Sequence, residues 1–366
     1  MKTPFFLIDK EILDNNIKSF KTALEKTWLN SKIAYSVKTN SLPWLLKYLK
    51  DQDVMAEVVS DEEYELAMLC GFKEDEIVFN GPIKGKELFL NSIRSGSVVN
   101  IDSKEEVRLL RKNFKNSKSN VGVRINVDTS IFDTNDVGYI DDGFRFGFSE
   151  ENKELNDVIN VTRFNDHNNK MGLHIHCNSI TRSLNVYRAL ARYIRYIIEK
   201  FQINPSFIDI GGGFFGGVEG KPSATEYIQA IYDVLKDTVN PDDTMLIVEP
   251  GSAIIGSAVE FHTSVLDVKD TNKSRIITTD GSRINIDPLW SKSRYEFRIN
   301  TKNYNDSKID KQIICGYTCM DHDRIMTLVK QNELARGDKI IYEKVGAYTM
   351  TFGGPFIRYF PEVYIK

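Results

Sequence analysis

Two charged residues stand at the ends of apolar runs of the chain and are candidates for catalysis. Lys38 ends the run IAYSVK, and Glu249 follows the run TMLIV. An isolated lysine is most often a surface cation. Among apolar neighbours, however, desolvation favours the neutral amine, which forms a Schiff base with a carbonyl compound. A buried carboxylate such as Glu249 needs a cationic or protonated partner, for which a protonated ring nitrogen is suited.

Glycines, histidines and a cysteine supply further candidates. In DIGGGF, glycines 211 to 213 expose backbone amides where a helix is expected to begin, a pattern that binds phosphate but also occurs in plain turns. His174 and His176 lie two residues apart on one predicted strand. The four cysteines show no CxxC spacing and predict neither a disulfide framework nor a zinc site.

These candidates lie near short apolar runs that alternate with helix-forming segments. Eight runs occur, over residues 33–37, 54–58, 76–80, 97–101, 121–127, 171–177, 206–210 and 244–248. The alternation is typical of parallel strands with crossover helices, and eight strands predict a (β/α)8 barrel over residues 25–255. Active sites of such barrels are built at the carboxyl ends of the strands. Those positions hold Lys38, Glu57, Asn80, Asp102, Arg124, Asn126, His176, the glycines and Glu249.

The pattern changes after residue 255. Strand-forming runs separated by turns follow, among them RIITTD, KQIICGY, KIIYEKVGAY and EVYIK. They predict a C-terminal β-domain over residues 256–366, with which we expect residues 1–24 to pack.

Composition limits the partners of the chain. Its 366 residues include 48 Lys and Arg against 51 Asp and Glu, so the net charge of -3 favours neither nucleic acid nor an anionic membrane as a partner. No apolar run approaches the ~20 residues of a membrane span, and MKTPFFLIDKEIL meets charge too early for a signal peptide. We therefore expect a cytoplasmic protein whose partners are small molecules and a second copy of itself.

Taken in order, the motifs resemble those of the pyridoxal-phosphate decarboxylases typified by diaminopimelate, ornithine and arginine decarboxylases, which have an alanine-racemase-like barrel. YSVKTN is similar to the family's lysine box, which implies that Lys38 holds the cofactor as an aldimine. AEVVSDEEY resembles the next segment and places Glu57 near that lysine. LHIHCNS is similar to the H-x-G-S strand, implying His176 over the cofactor ring and Ser179 at the phosphate.

The later motifs continue the resemblance. DIGGGF and VEPGS are similar to the phosphate-binding glycines and the pyridine-nitrogen glutamate, implying roles for Gly212, Gly213 and Glu249. CGYTCMDHD resembles the segment whose cysteine, here Cys319, reaches the partner subunit's site in a homodimer. VGAYTMTF resembles the G-A-Y motif, whose tyrosine, here Tyr348, contacts the phosphate. The resemblance implies pyridoxal 5'-phosphate as the cofactor, and no metal.

The same resemblance implies a carbon–carbon lyase that removes the α-carboxylate of an amino acid or an amino-acid-containing intermediate. Glu249 would keep the ring nitrogen protonated, and Cys319 would protonate the α-carbon. Asp321 or Asp323 would read the distal group of the substrate, and Arg124 is a further candidate for substrate contact.

Three departures from the family pattern concern specificity. Ser252 stands where the family usually has the arginine of E-P-G-R, so an arginine contact to phosphate or to a substrate carboxylate is missing or moved. Asn178 replaces the glycine of H-x-G-S and crowds the phosphate loop. A further departure is MDHD after Cys319, which is neither the E-S-x-D of a diaminopimelate decarboxylase nor the D-G-x-D of ornithine decarboxylases. We therefore expect a substrate that is not a standard one for either enzyme.

Two alternatives remain open. One is a non-catalytic pyridoxal-phosphate carrier of the same barrel, which the β-domain and the Cys319 segment disfavour. The other is a metal-dependent barrel hydrolase with His174 and His176 as ligands together with Asp209 or Asp280, which the lack of an HxH pair on the first strand disfavours.

Overall fold

The chain forms two compact units in the computed structural model, which describes residues 1–113, 118–165, 171–301 and 307–366. One unit comprises residues 16–253, and the other comprises residues 1–15 together with 254–366. The smaller unit begins with strand β1 (Phe5–Ile8). Sequence analysis predicted a barrel over residues 25–255. In the structure, the boundary between the two units on the N-terminal side of the barrel lies within helix α1 (Lys10–Thr27).

The larger unit is a closed barrel of eight parallel strands in chain order, which confirms the predicted fold class. Its strands are β2 (Ser31–Ser36), β3 (Met55–Val58), β4 (Ile77–Phe79), β5 (Val98–Ile101), β6 (Asn120–Ile125), β7 (Met171–Ile175), β8 (Phe207–Asp209) and β9 (Met245–Val248). Its helices are α2 (Pro43–Asp51), α3 (Asp61–Leu69), α4 (Lys86–Ser95), α5 (Lys104–Asn113), α6 (Glu154–Asn165), α7 (Leu184–Phe201), α8 (Ala224–Leu235) and the single turn α9 (Ser252–Ile255).

Complementary side-chain sizes fill the barrel interior. Phe207 on β8 is fully buried in an apolar cluster with residues of β2, β3, β4, β5 and β9. Its ring occupies the space left by two glycines: a Cβ on Gly172 would overlap the ring, and a Cβ on Gly122 would lie 2.8 Å from it. The interior is therefore a packed core that supports the side chains at the carboxyl ends of the strands.

A buried ion pair joins the ends of β4 and β5. Lys84 Nζ donates to Glu106 Oε1 at 3.1 Å and to the carbonyl oxygens of Gly81 at 3.0 Å and Asn100 at 2.9 Å. The other carboxylate oxygen of Glu106 accepts from the Asp102 amide at 2.7 Å. Burial lowers the pKa of Lys84 and raises that of Glu106, so each charge depends on the other.

The smaller unit is a mixed sheet, which confirms the predicted β-domain. Its strands after β1 are β10 (Val259–Asp270), β11 (Arg275–Thr279), β12 (Phe297–Asn300), β13 (Lys308–Cys315), β14 (Arg324–Asn332), β15 (Lys339–Tyr342) and β16 (Glu362–Ile365), with the short helix α10 (Arg283–Ile286). The order is β12-β15-β10-β11-β13-β14, and β1 pairs with β10 and β16. Within the described ranges, none of the helices in either unit has the length and apolar character to cross a membrane.

Replacing Lys84 with methionine should destabilise the barrel by about 3 kcal/mol, because it leaves the Glu106 carboxylate buried without a cation. Urea unfolding followed by circular dichroism measures the loss. The matched control is Arg195→Met, which removes the cation of an exposed pair with Glu199 and should change the free energy of unfolding by less than about 1 kcal/mol. Equal losses in the two variants would contradict a special role for the buried pair.

Candidate active site

Lys38 lies in the 3₁₀ turn Val37–Thr39 after β2 and is bonded to a glutamate on the neighbouring strand. Its Nζ donates to Glu57 Oε2 at 2.5 Å and to Ser36 Oγ at 2.6 Å. Burial alone would raise the pKa of Glu57, but the Lys38 ammonium and the hydrogen bonds hold that pKa below its ordinary value. The Lys38 side chain is 40% exposed. The desolvated amine expected from the sequence is therefore not observed, and the amine is ion-paired and within reach of solvent.

Two asparagines extend this contact across the barrel. Asn80 Nδ2 donates to Glu57 Oε1 at 3.1 Å and to Glu249 Oε1 at 2.5 Å. Asn100 Nδ2 donates to Asn80 Oδ1 at 2.9 Å and to Asp209 Oδ2 at 3.0 Å. Lys38 and Glu249 thus belong to one hydrogen-bonded layer. Asn100 was not a sequence candidate, although a polar residue inside the apolar run SVVNI was a usable signal.

Asp209 and Glu249 form a carboxylate pair at the ends of the adjacent strands β8 and β9. Both side chains are buried and hydrogen-bond each other. Burial, and next the charge of Asp209, raises the pKa of Glu249 well above its ordinary value. Burial likewise raises the pKa of Asp209 to about 6. The pair therefore keeps a proton to a higher pH than a free carboxyl group does.

The cluster of possible metal ligands in the structure differs from the set that the sequence suggested. Ligand atoms of His174, Asp209 and Glu249 all lie within 4.8 Å of one another. His176 is not in this cluster, and Asp280 belongs to the other unit. The metal ligands named from the sequence are therefore not brought together as a set.

His176 and the glycine turn form a surface that fits pyridoxal phosphate. A Cβ on Gly211, at φ +70°, would lie 2.6 Å from His176 Cβ, and a Cβ on Gly212 would overlap the Glu249 carbonyl oxygen. Burial, and next the charge of Arg124, lowers the pKa of His176 to about 3, so the ring is neutral. Its buried Nδ1 has no partner among the described residues. A neutral ring beside a turn that tolerates no side chain suits an aromatic ring carrying a phosphate.

The loop after β7 carries the predicted phosphate serine. Ser179 Oγ accepts from the Arg182 amide at 2.8 Å and donates to the Asp136 carbonyl oxygen at 3.1 Å. This hydroxyl therefore stabilises the loop, and its contact with phosphate stays a prediction. Arg182 Nη1 donates to Ser252 Oγ at 3.3 Å. Sequence analysis did not single out Arg182, although the missing arginine at position 252 was a reason to search for another one.

A cavity of about 470 Å³ opens beside His176. It is bordered by Arg124 and Arg145, whose guanidinium carbons lie 4.6 Å and 4.4 Å from the centroid of the Phe146 ring. Arg124 Nη1 lies 3.3 Å from Asp102 Oδ2, so its charge is already paired. The position of Arg124 beside a cavity is compatible with its predicted contact with substrate. Arg145 is a further cation at this cavity, which sequence analysis did not single out.

The remaining candidates belong to the smaller unit. Cys319 and Asp321 are exposed. Asp323 is 1% exposed, and its oxygens accept hydrogen bonds from Ser282, Arg283 and Thr318. Tyr348 is 36% exposed, with φ of +58°. Since Asp323 is committed to its own unit, Asp321 is the better candidate of the two for contact with a substrate.

Comparisons with known proteins identify the family of the chain. The model of the family described as "pyridoxal-dependent decarboxylase, pyridoxal binding domain" matches residues 11–256. The diaminopimelate decarboxylase of Archaeoglobus fulgidus is 27% identical over 94% of this chain and 83% of its own length. The enzyme of that name from Bacillus subtilis is 24% identical over 97% of this chain and 84% of its own length.

Solved structures share the fold. The arginine decarboxylase of Paramecium bursaria Chlorella virus superposes with a TM-score of 0.82 at 20% identity, covering 100% of this chain and 96% of that one. Diaminopimelate decarboxylase from Helicobacter pylori complexed with L-lysine gives a TM-score of 0.79 at 24% identity, covering 98% of this chain and 89% of that one. Because the family model matches well over half of its residues, the chain belongs to the pyridoxal-dependent decarboxylases, and its cofactor is pyridoxal phosphate.

Proposed function

We propose that this decarboxylase acts on the α-carboxylate of an amino acid bound at the carboxyl end of the barrel, with the cofactor held covalently by Lys38. The observation that carries the proposal is the buried hydrogen-bonded layer that links Lys38, through Glu57 and Asn80, to the carboxyl pair of Glu249 and Asp209. The bound cofactor supplies an electron sink for the bond between the α-carbon and the carboxylate.

Glu57 positions the reactive amine. Its carboxylate and the Ser36 hydroxyl hold Nζ of Lys38 at the end of β2. A proton must leave Nζ before the nitrogen can bond a carbonyl carbon. Because the pKa of Glu57 is held below its ordinary value, its carboxylate orients the amine and does not keep that proton.

Glu249 holds the proton that a ring nitrogen requires. Its Oε1 accepts from Asn80, and its pKa is raised by burial and by Asp209. A carboxyl group with a raised pKa can share its proton with a pyridine nitrogen without first drawing one from solvent. The neutral His176 ring beside the glycine turn adds a flat surface and no competing charge.

Cys319 and Asp321 are proposed to act on the substrate from a partner subunit. After CO2 leaves, the α-carbon must take a proton, and a thiol is a suitable donor. Both residues are exposed in the smaller unit, where a second copy of the chain can reach them. We further propose that the protein is a cytoplasmic homodimer with shared active sites. Relatives named diaminopimelate and arginine decarboxylases support a substrate with a second polar end, which Asp321 would contact.

The purified protein should release CO2 from at least one member of a panel of L- and D-amino acids, diaminopimelate and nucleoside-linked amino acids. Lys38→Ala should abolish the yellow absorbance of the bound cofactor and lower CO2 release by about a thousandfold or more, because the covalent anchor is lost. Absorbance spectra and CO2 capture measure the two effects.

Lys47→Ala is the matched control, since Lys47 is an exposed lysine on α2 and its loss should change neither readout. Yellow protein that releases CO2 from no compound would indicate a carrier. Activity that a chelator abolishes, in a colourless protein, would indicate the hydrolase instead.

Glu249→Gln should lower CO2 release about 100-fold while the yellow absorbance persists, because the amide cannot protonate a ring nitrogen but Lys38 is intact. The cofactor-free protein should also respond to pH. Folded Glu249 keeps its proton above the ordinary glutamate pKa of 4.5, so its contribution to stability is present below that pH and lost as pH rises through the raised pKa. Thermal unfolding across a pH series should therefore show wild type losing stability relative to the glutamine variant as pH rises. A difference that does not change with pH would argue against a protonated Glu249.

Shared sites predict complementation between two inactive variants. Lys38→Ala and Cys319→Ala, each mixed with itself, should be nearly inactive. Unfolded together and refolded, they should recover about a quarter of wild-type activity, since half of randomly assorted dimers are mixed and each mixed dimer has one intact site. Recovery of no activity, with dimers shown by sedimentation, would mean that each site is built within one chain.

A further inference from the structure

Three neighbouring barrel strands bring their loops together around the glycine turn. Arg182 lies in the loop after β7, glycines 211 to 213 follow β8, and Ser252 follows β9. The hydrogen bond from Arg182 Nη1 to Ser252 Oγ, at 3.3 Å, therefore bridges the loops on the two sides of the glycine turn. Phosphate sites of such barrels are commonly built from the loops after the last two strands, which are β8 and β9 here.

The Arg182 backbone is held in an uncommon conformation. Its φ of +51° is in the left-handed region, which is unfavourable for a residue with a side chain. Two hydrogen bonds stabilise it: the amide donates to Ser179 Oγ at 2.8 Å, and the carbonyl oxygen accepts from Tyr227 Oη at 2.7 Å. The guanidinium carbon lies 5.2 Å from the centroid of the Phe215 ring. The loop thus directs this side chain toward Ser252.

The charge of Arg182 has no acidic counterpart in the part of the chain that the structure describes. Its guanidinium contacts there are a hydroxyl and an aromatic ring, and no carboxylate pairs with it. The adjoining groups of the glycine turn are neutral amides, and a Cβ on Gly213, at φ +86°, would lie 3.2 Å from Tyr187 Oη. A half-buried cation beside a tight turn of amides is suited to bind an anion with several oxygens.

We propose that Arg182 binds the 5'-phosphate of pyridoxal phosphate. In the family's E-P-G-R motif the arginine stands at the position that Ser252 occupies here. Arg182 supplies the corresponding positive charge from the loop after β7. Ser252 orients the guanidinium through its hydroxyl. The inference rests on the proposed attachment of the cofactor at Lys38, and it is independent of which amino acid is the substrate.

Binding of pyridoxal phosphate and of pyridoxal, which lacks the phosphate, tests the proposal in protein stripped of cofactor. Titrations followed by absorbance give both dissociation constants. Arg182→Gln should raise that of pyridoxal phosphate about 10- to 100-fold, the effect of losing one charge-assisted contact, and leave that of pyridoxal unchanged. Arg182→Lys should show a smaller loss, because it keeps the charge. Arg188→Gln, which removes a half-buried arginine of α7 that is bonded to Asn185, is the matched control and should change neither constant.

Restoring the charge at the other flank of the turn provides a second test. Adding Ser252→Arg to Arg182→Gln should recover most of the affinity for pyridoxal phosphate. If circular dichroism shows that Arg182→Gln alone does not fold, the affinities of this double variant and of Arg182→Lys for pyridoxal phosphate still test the proposal.

Three results would overturn the inference. The first is unchanged affinity of Arg182→Gln for pyridoxal phosphate, and the second is equal weakening for both aldehydes. The third is a raised KM for the amino acid with unchanged cofactor binding, which would assign Arg182 to the substrate carboxylate. Failure of the wild type to form a yellow adduct would instead defeat the proposed function, so the two failures are distinguishable.

Discussion

Pairing of β2 with β9 is the contact on which the active site depends. Residues Ser31, Lys32 and Ile33 lie in register with Leu246, Ile247 and Val248, and this ladder closes the barrel. Lys38 and Glu249 are far apart in sequence, but closure makes the strands that precede them neighbours. Because all eight strands are parallel, their carboxyl ends form one ring. The described polar groups that are hydrogen-bonded to Lys38 and Glu249 are all contributed by that ring.

Closure also determines the electrostatics of the ring. Strands with buried side chains on both faces leave little water around polar groups at their ends, so each group needs a partner within the protein. The asparagines at positions 80 and 100 meet this need by linking Glu57, Glu249 and Asp209. The buried Nδ1 of His176 is left unpaired among the described residues. Asn100 Oδ1 and both ring nitrogens of His174 are also buried and without a partner among the described residues, so polar groups remain for a bound cofactor to meet.

Much of this arrangement could be predicted from the sequence because its signals are local. Runs rich in β-branched residues identified all eight barrel strands, and the rule that catalytic groups follow strands selected Lys38, Glu57, His176 and Glu249. The exposure of Lys38 could not be predicted, because it depends on how the ends of β2 and β3 are spaced. Asn100 and Arg182 were missed for a related reason: each acts through residues of other strands or loops. The division within α1 was missed because a continuous helix shows no change of composition at the boundary.

The packing of Phe207 against Gly122 and Gly172 has an evolutionary consequence. The three positions lie on the consecutive strands β6, β7 and β8, and the ring occupies the space of the two absent side chains. An alanine at Gly172 is compatible with the barrel only when position 207 becomes smaller, whereas an alanine at Gly122 would also overlap Asn100 Oδ1. Residue volumes at positions 172 and 207 are therefore expected to covary among descendants of this sequence. Gly122 is constrained twice, by the Phe207 ring and by an asparagine of the hydrogen-bonded layer, so a change in that layer would be felt in the apolar packing beneath it.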